Sequence, residues 1–214
     1  MQDLRIALVQ SQLHWEDRAA NLEMFGSKLA ELDSPADLIV LPEMFSTGFT
    51  MNAAPLAEHM DGPSVAWMQE MAALKNAVIT GSLIIEENGN FYNRLIWASE
   101  DGSLQTYDKR HLFSMAGEEK VFSPGSAKLI TELKGWKICP MVCYDLRFPA
   151  WIRNRNIQEG DLLPGDTEAA FYDLLIFVAN WPERRIQHWR KLLQARAIEN
   201  QCYVAGVNRY GTDG

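Results

Sequence analysis

Residues 135–149, GWKICPMVCYDLRFP, decide how this chain is read. They run as an apolar strand into Cys143 and then turn polar at once, with Tyr144, Asp145 and Arg147 directly behind the thiol. A strand that ends at a nucleophile and turns sharply holds a reactive atom up at the edge of a sheet. The thiolate is the attacking species, and an unperturbed cysteine is mostly protonated at neutral pH, so such a thiol needs an activator. None of the four histidines, His14, His59, His111 and His188, stands in a pairing motif with a cysteine. The alternative is that Cys143 is a small hydrophobe closing a strand, the reading that suits Cys139 and Cys202.

Two other stretches place charged groups at strand ends in apolar company. In LIVLPEMFSTGF, residues 38–49, Glu43 follows a fully apolar run and sits among Met44, Phe45 and Phe49. Burial there is costly for a carboxylate and pushes its pKa up, which suits a general base. In LQTYDKRHLFSMAGEE, residues 104–119, Lys109 stands where a strand gives way to a loop. An ammonium beside a thiol stabilises the thiolate, and then the oxyanion of an acyl-transfer intermediate. Glu43, Lys109 and Cys143 would thus supply base, electrophile and nucleophile from three strand ends. Taken singly, Glu43 reads equally as a strand-end surface carboxylate and Lys109 as a solvated loop lysine.

The surrounding pattern alternates strands and helices at both ends, with hairpins between. LRIALVQ (4–10) reads as a strand. A helix follows, with Leu22, Phe25, Leu29 and Leu32 at helical spacing, and ADLIVLPE (36–43) is a strand buried on both faces. This opening favours parallel pairing. Residues 62–76 read as a helix with Pro63 in its first turn and Ser64 as a possible cap. Strand-like runs at 77–87, 91–99 and 103–109 are separated by Asn88-Gly89-Asn90 and Asp101-Gly102, and another pair turns at Lys134-Gly135. Toward the end come a buried strand in YDLLIFVANWP, a helix with Ile186, Trp189, Leu193 and Ala197 on one stripe, and a strand in CYVAGVN. The polar segment from Glu159 to Ala170 reads as a surface insertion. The class is α/β, with a mixed sheet, or two sheets face to face, and helices outside.

Composition fits one domain: 214 residues with 47% hydrophobic content are enough for a single buried core. A net charge of −8 disfavours a broad nucleic-acid surface, and patches such as PERR and DKRH do not alter that. No apolar run approaches the roughly 18 residues that span a bilayer. The N-terminus enters a strand pattern without a basic leader, and three cysteines without framework spacing fit a reducing compartment, so the expectation is a cytoplasmic protein. Cys139 and Cys143, four residues apart along a strand, are separated by roughly 13 Å, too far for a disulfide. No compact Cys/His spacing supports a metal site.

The motifs LPEMFSTGF, YDKRHLF, VCYDLRFP, ANWP and ARAIENQCYVAGVNR, in that order, resemble the nitrilase superfamily of carbon–nitrogen hydrolases, and most of all its ω-amidase branch. The resemblance runs from about residue 4 to the end of the chain. It implies a four-layer α-β-β-α sandwich of two mixed sheets with helices outside, forming a homodimer, and a site that uses no metal or organic cofactor. Carried over, it makes Glu43 the general base, Lys109 the oxyanion-stabilising cation and Cys143 the nucleophile. It also makes Glu118, rather than Glu119, a further catalytic glutamate, and the Tyr144 N–H part of the oxyanion hole. It implies hydrolysis of the terminal amide of a short dicarboxylate monoamide such as 2-oxoglutaramate. A carbamoylase, a nitrilase or a catalytically idle binding subunit of the same fold are the alternatives. The family continues beyond the point where this sequence ends at NRYGTDG, so the single domain of residues 1–214 is expected to lack the usual C-terminal segment.

For the substrate itself, the fork of Arg147 suits a carboxylate bidentately. The competing reading is a structural ion pair with Asp145. Phe45, Phe113 and Trp181 are candidate pocket walls, and His188 is expected to be a hydrogen-bonded structural group rather than a ligand.

Overall fold

The computed structural model describes residues 2–154 and 170–211, so the expected insertion lies, apart from Ala170, outside the described residues. The chain opens with β1 (Ile6–Leu8), α1 (Arg18–Ala30) and β2 (Leu38–Val40). A short helix α2 (Ala53–Leu56) and the longer α3 (Pro63–Lys75) lead into β3 (Val78–Glu87), β4 (Asn90–Ala98) and β5 (Leu104–Asp108). Then come β6 (Thr131–Leu133), β7 (Trp136–Val142), β8 (Leu174–Ala179), α4 (Ile186–Asn200) and β9 (Tyr203–Asn208).

Two mixed sheets result. The first has the order β1-β2-β3-β4-β5, parallel over its first three strands and antiparallel thereafter. The second has the order β6-β7-β8-β9, with β6 antiparallel and the rest parallel. The hairpin at Asn88-Gly89 closes β3 onto β4 with both residues at positive φ, 53° and 75°, the geometry that makes Asn-Gly the preferred pair for such turns.

Side-chain alternation sorts the layers. Leu38, Val40, Val78, Leu95 and Trp97 join Ile138, Met141, Ile176 and Val178 in one core between the sheets. Their neighbours in sequence, Ile39, Leu41, Ile79, Ile96 and Ala98, pack with Phe25 and Leu29 of α1 and Val65, Met68 and Ala72 of α3. The period of two is the strand's own geometry. Helix α4 lies on the far side of the second sheet, where Gly206 lets Trp189 and Leu193 approach the backbone. A Cβ there would sit 2.8 Å from Trp189. The architecture is the α-β-β-α sandwich. Truncating an interior side chain such as Leu38 or Ile176 to alanine should cost about 2–5 kcal/mol.

One local expectation is corrected. Gly62, not Ser64, is the N-cap of α3, with Pro63 in the first position. Ser64 lies inside the helix, where its N–H donates to Glu58 Oε2 at 2.7 Å and its hydroxyl binds the same carboxylate. A carboxylate from the preceding loop therefore meets a free N–H at the positive helix end.

Candidate active site

The two sheets deliver four chain segments to one end of the sandwich. Glu43 lies just past β2, Lys109 just past β5, Cys143 just past β7 and Asn180 just past β8. Because β4 runs opposite to β3 and β5, its early residue Asn93 reaches the same end.

The Lys109 ammonium sits between two carboxylates. Nζ donates to Glu43 Oε1 at 2.8 Å and to both oxygens of Glu118, at 3.0 Å and 2.9 Å. All three side chains have zero exposure. Asn93 Nδ2 ties the carboxylates together from another side, at 2.8 Å from Glu43 Oε1 and 3.2 Å from Glu118 Oε1. Glu43 Oε2 accepts the Asn180 N–H at 2.8 Å, and Glu118 Oε2 accepts the Phe113 N–H at 2.6 Å. Burial alone would lower the Lys109 pKa, but Glu118 and Glu43 outweigh it and hold the ammonium firmly protonated. Burial raises the Glu118 carboxyl above its ordinary range, and Glu43 pushes the same way against the pull of Lys109. Glu119, its neighbour, is exposed.

Cys143 opens a tight 3-10 turn, Cys143–Arg147, with φ at +41°. A non-glycine residue in that region is strained by roughly 1–3 kcal/mol and persists only where its surroundings enforce it. Asp145 is the enforcer. Its fully buried carboxylate accepts from the Val142 N–H (3.2 Å), the Tyr107 hydroxyl (2.7 Å), and the His111 N–H and Nδ1 (2.9 and 2.8 Å). The charged groups that act most on the thiol are Glu43, Lys109 and Glu118. Burial comes first and Glu43 second in pushing the Cys143 thiol well up. Lys109 opposes them without prevailing. The thiol therefore rests protonated, rather than as the thiolate expected from the ammonium alone.

Above Cys143 opens a cleft of about 160 Å³ lined by Phe113, Tyr144, Arg147, Trp181 and Arg185, among others. Phe113 and Trp181 both line it, and Tyr144 packs edge-on against Phe113 with ring centroids 5.0 Å apart. Phe45 does not. It is fully buried behind the first sheet, against Phe25 at 5.5 Å and Trp67 at 5.8 Å, because its aromatic bulk fills the helix-side core. Phe49, four residues on, lines the cleft instead and lies 5.1 Å from Lys109 Nζ. Arg147 makes no ion pair with Asp145, whose oxygens are taken up by His111, Tyr107 and Val142. Its guanidinium lies over Trp181 at 5.1 Å and donates to His188 Nδ1 at 2.9 Å.

Sequence reading missed Asn93, Asn180 and Arg185. An asparagine inside the apolar run FYNRLIWAS was the one available signal for Asn93, since a polar side chain in a buried strand needs a partner. Among the described residues no His/Cys/Asp/Glu cluster could hold a metal ion, and no helix is long and apolar enough to cross a membrane.

Comparison with known proteins places this geometry. The profile described as carbon-nitrogen hydrolase matches residues 5–214. The omega-amidase YafV of Escherichia coli is 46% identical over 214 residues, 100% of this chain and 77% of that protein. The 2-oxoglutaramate amidase of Bacillus subtilis is 32% identical over 211 residues, 97% of this chain and 77% of that protein. A superfamily protein of Xanthomonas campestris, solved with an arsenic adduct in its active site, superposes with a TM-score of 0.92 at 49% identity, covering 100% of this chain and 78% of its own.

Proposed function

The chain belongs to the carbon–nitrogen hydrolase family and is an amidase, and from that premise we propose that it removes the terminal amide of a short dicarboxylate monoamide of the 2-oxoglutaramate type. The observation that carries this reading is the position of Arg147. It faces the cleft above Cys143 with no carboxylate partner among the described residues. The substrate's free carboxylate would supply that partner bidentately. The names of the Escherichia coli and Bacillus subtilis relatives agree with it.

Catalysis follows from the proton inventory. Glu43 takes the thiol proton as Cys143 Sγ bonds to the amide carbon, and the carbonyl electrons move onto oxygen. Lys109 and the Tyr144 N–H stabilise that oxyanion. Glu43 passes the proton to the amide nitrogen, the C–N bond breaks, and ammonia leaves a thioester on Cys143. Glu43 then takes a proton from water, whose oxygen attacks the thioester. Collapse of the second tetrahedral intermediate expels the thiolate, which recovers the proton, and releases the dicarboxylate. Glu118 holds Lys109 by both oxygens and keeps it aimed at the reacting oxygen.

The test is ammonia release from 2-oxoglutaramate and succinamate, set beside N-carbamoyl amino acids and aliphatic nitriles, with Arg147→Ala alongside. Turnover of the two acidic amides, with their preference over neutral amides lost in Arg147→Ala, is the expected result. Faster turnover of the carbamoyl compounds or nitriles would reassign the substrate. No turnover of any class by the folded protein would favour a binding subunit.

A further inference from the structure

Resting on that reading, we propose that Arg185 is a second specificity-determining contact of the same cleft, binding the acid end of the substrate together with Arg147. Three features of Arg185 go unexplained by the fold alone. First, its Nη1 is buried and has no hydrogen-bond partner among the described residues. Its Nη2 reaches only the thioether of Met115 at 3.4 Å, a weak acceptor. Second, no aspartate or glutamate among the described residues pairs with it, although its guanidinium is partly withdrawn from solvent over Phe113 at 5.7 Å. Third, Arg185 occupies the N-cap of α4, a 15-residue helix with no acidic residue in its first turn. A cation is misplaced at the positive end of a helix, and an N-cap normally supplies an acceptor.

The missing counter-charge is supplied by one event, the arrival of an anion in the cleft that Arg185 lines together with Cys143 and Arg147. The guanidinium then exchanges a weak thioether acceptor on Nη2 for a carboxylate oxygen. The two arginines are joined through one ring. Arg147 stacks on Trp181, whose Nε1–H donates to the Arg185 carbonyl at 2.9 Å. The two arginines lining one cleft with Cys143 select for a carboxylate at the far end of a short acyl chain.

The experiment compares succinamate with butyramide, which carries a methyl group where succinamate has its carboxylate. The readout is the ratio of kcat/KM on the two substrates, in the wild-type chain and in Arg185→Gln. The expected result is a fall in that ratio of roughly tenfold to hundredfold, carried mainly by KM on succinamate. A ratio unchanged within threefold in Arg185→Gln, whatever the absolute loss, overturns the role of Arg185 while leaving the proposed function in place. A wild-type chain with no preference for succinamate overturns both. Should the variant fail to fold, phenylglyoxal modification of the wild-type chain decides. Succinate at a concentration that inhibits turnover should shield Arg185, and equal labelling of Arg185 with and without it overturns the proposal.

Discussion

Glu43 and Glu118 flank a single ammonium, with Lys109 Nζ 2.8 Å from one and 2.9 Å from the other and all three side chains sealed from solvent. Two buried carboxylates against one cation leave an excess negative charge, which burial makes costly. Part of that cost falls on Glu118, whose carboxyl is raised above its ordinary range. Glu118→Gln removes the excess charge while keeping the side chain's shape. Lys109, Asn93 and the Phe113 N–H all donate to this carboxylate, so one amide N–H of the glutamine must face a donor. We expect a melting temperature below the wild-type value and kcat at least about 100-fold lower, since Lys109 loses the group that aims it. Thermal melts and ammonia release on the same preparation check this.

Lys109→Met does the opposite, leaving two unpaired carboxylates in the core. Removing one member of a buried ion set typically costs about 3–5 kcal/mol. The variant should unfold at markedly lower urea concentration and show no measurable turnover. Stability equal to wild type would mean that the carboxylates are less buried than described.

Asp145→Asn tests the elbow rather than the chemistry. Asp145 accepts from Tyr107, His111 and Val142, and the turn it belongs to holds Cys143 at φ +41°. An amide in its place must direct an N–H at groups that are themselves donors. The expected loss is about 2–4 kcal/mol in urea unfolding, with Tyr107 and His111 left short of an acceptor. Wild-type stability would show that the strained turn holds itself.

The other two thiols set an alkaline limit on stability. Burial pushes Cys139 up to about 12 and Cys202 up to about 11, from an ordinary value of 9.0. Each keeps its proton in the folded chain after the unfolded chain has begun to lose it. Their contribution is thus complete below pH 9 and is lost as pH rises through 11 and 12. Melting temperatures should fall more steeply above pH 9 in the wild type than in Cys139→Ala, and matching slopes would contradict the assignment.

Much of this arrangement was legible in the residues, because the strands are long apolar runs ended by turn chemistry. Asn88-Gly89, Asp101-Gly102 and Lys134-Gly135 marked the three hairpins, and the uninterrupted ADLIVLPE run marked a strand covered on both faces. Glu43, Lys109 and Cys143 were visible as charged or reactive groups stranded at such ends. Asn93 was not, since its partners Glu43 and Glu118 lie 50 and 25 residues away in sequence and meet it only through sheet order. Phe45 rather than Phe49 reads as the candidate wall, because the turn after β2 that sends Phe45 to the core and Phe49 to the cleft, with Met44 at φ +44°, leaves no periodic trace. Arg185 read as part of a surface basic patch, since neither its unmet Nη1 nor its place at the head of α4 is a property of local sequence.

The most direct measurement of the central claim is the mass of the enzyme caught during turnover. Succinamate mixed with the wild-type chain and quenched in acid should leave one succinyl group on the peptide bearing Cys143. Cys143→Ala should carry no adduct and release no ammonia. An adduct on another residue, or ammonia from Cys143→Ala at the wild-type rate, would contradict the assignment of Cys143 as the nucleophile.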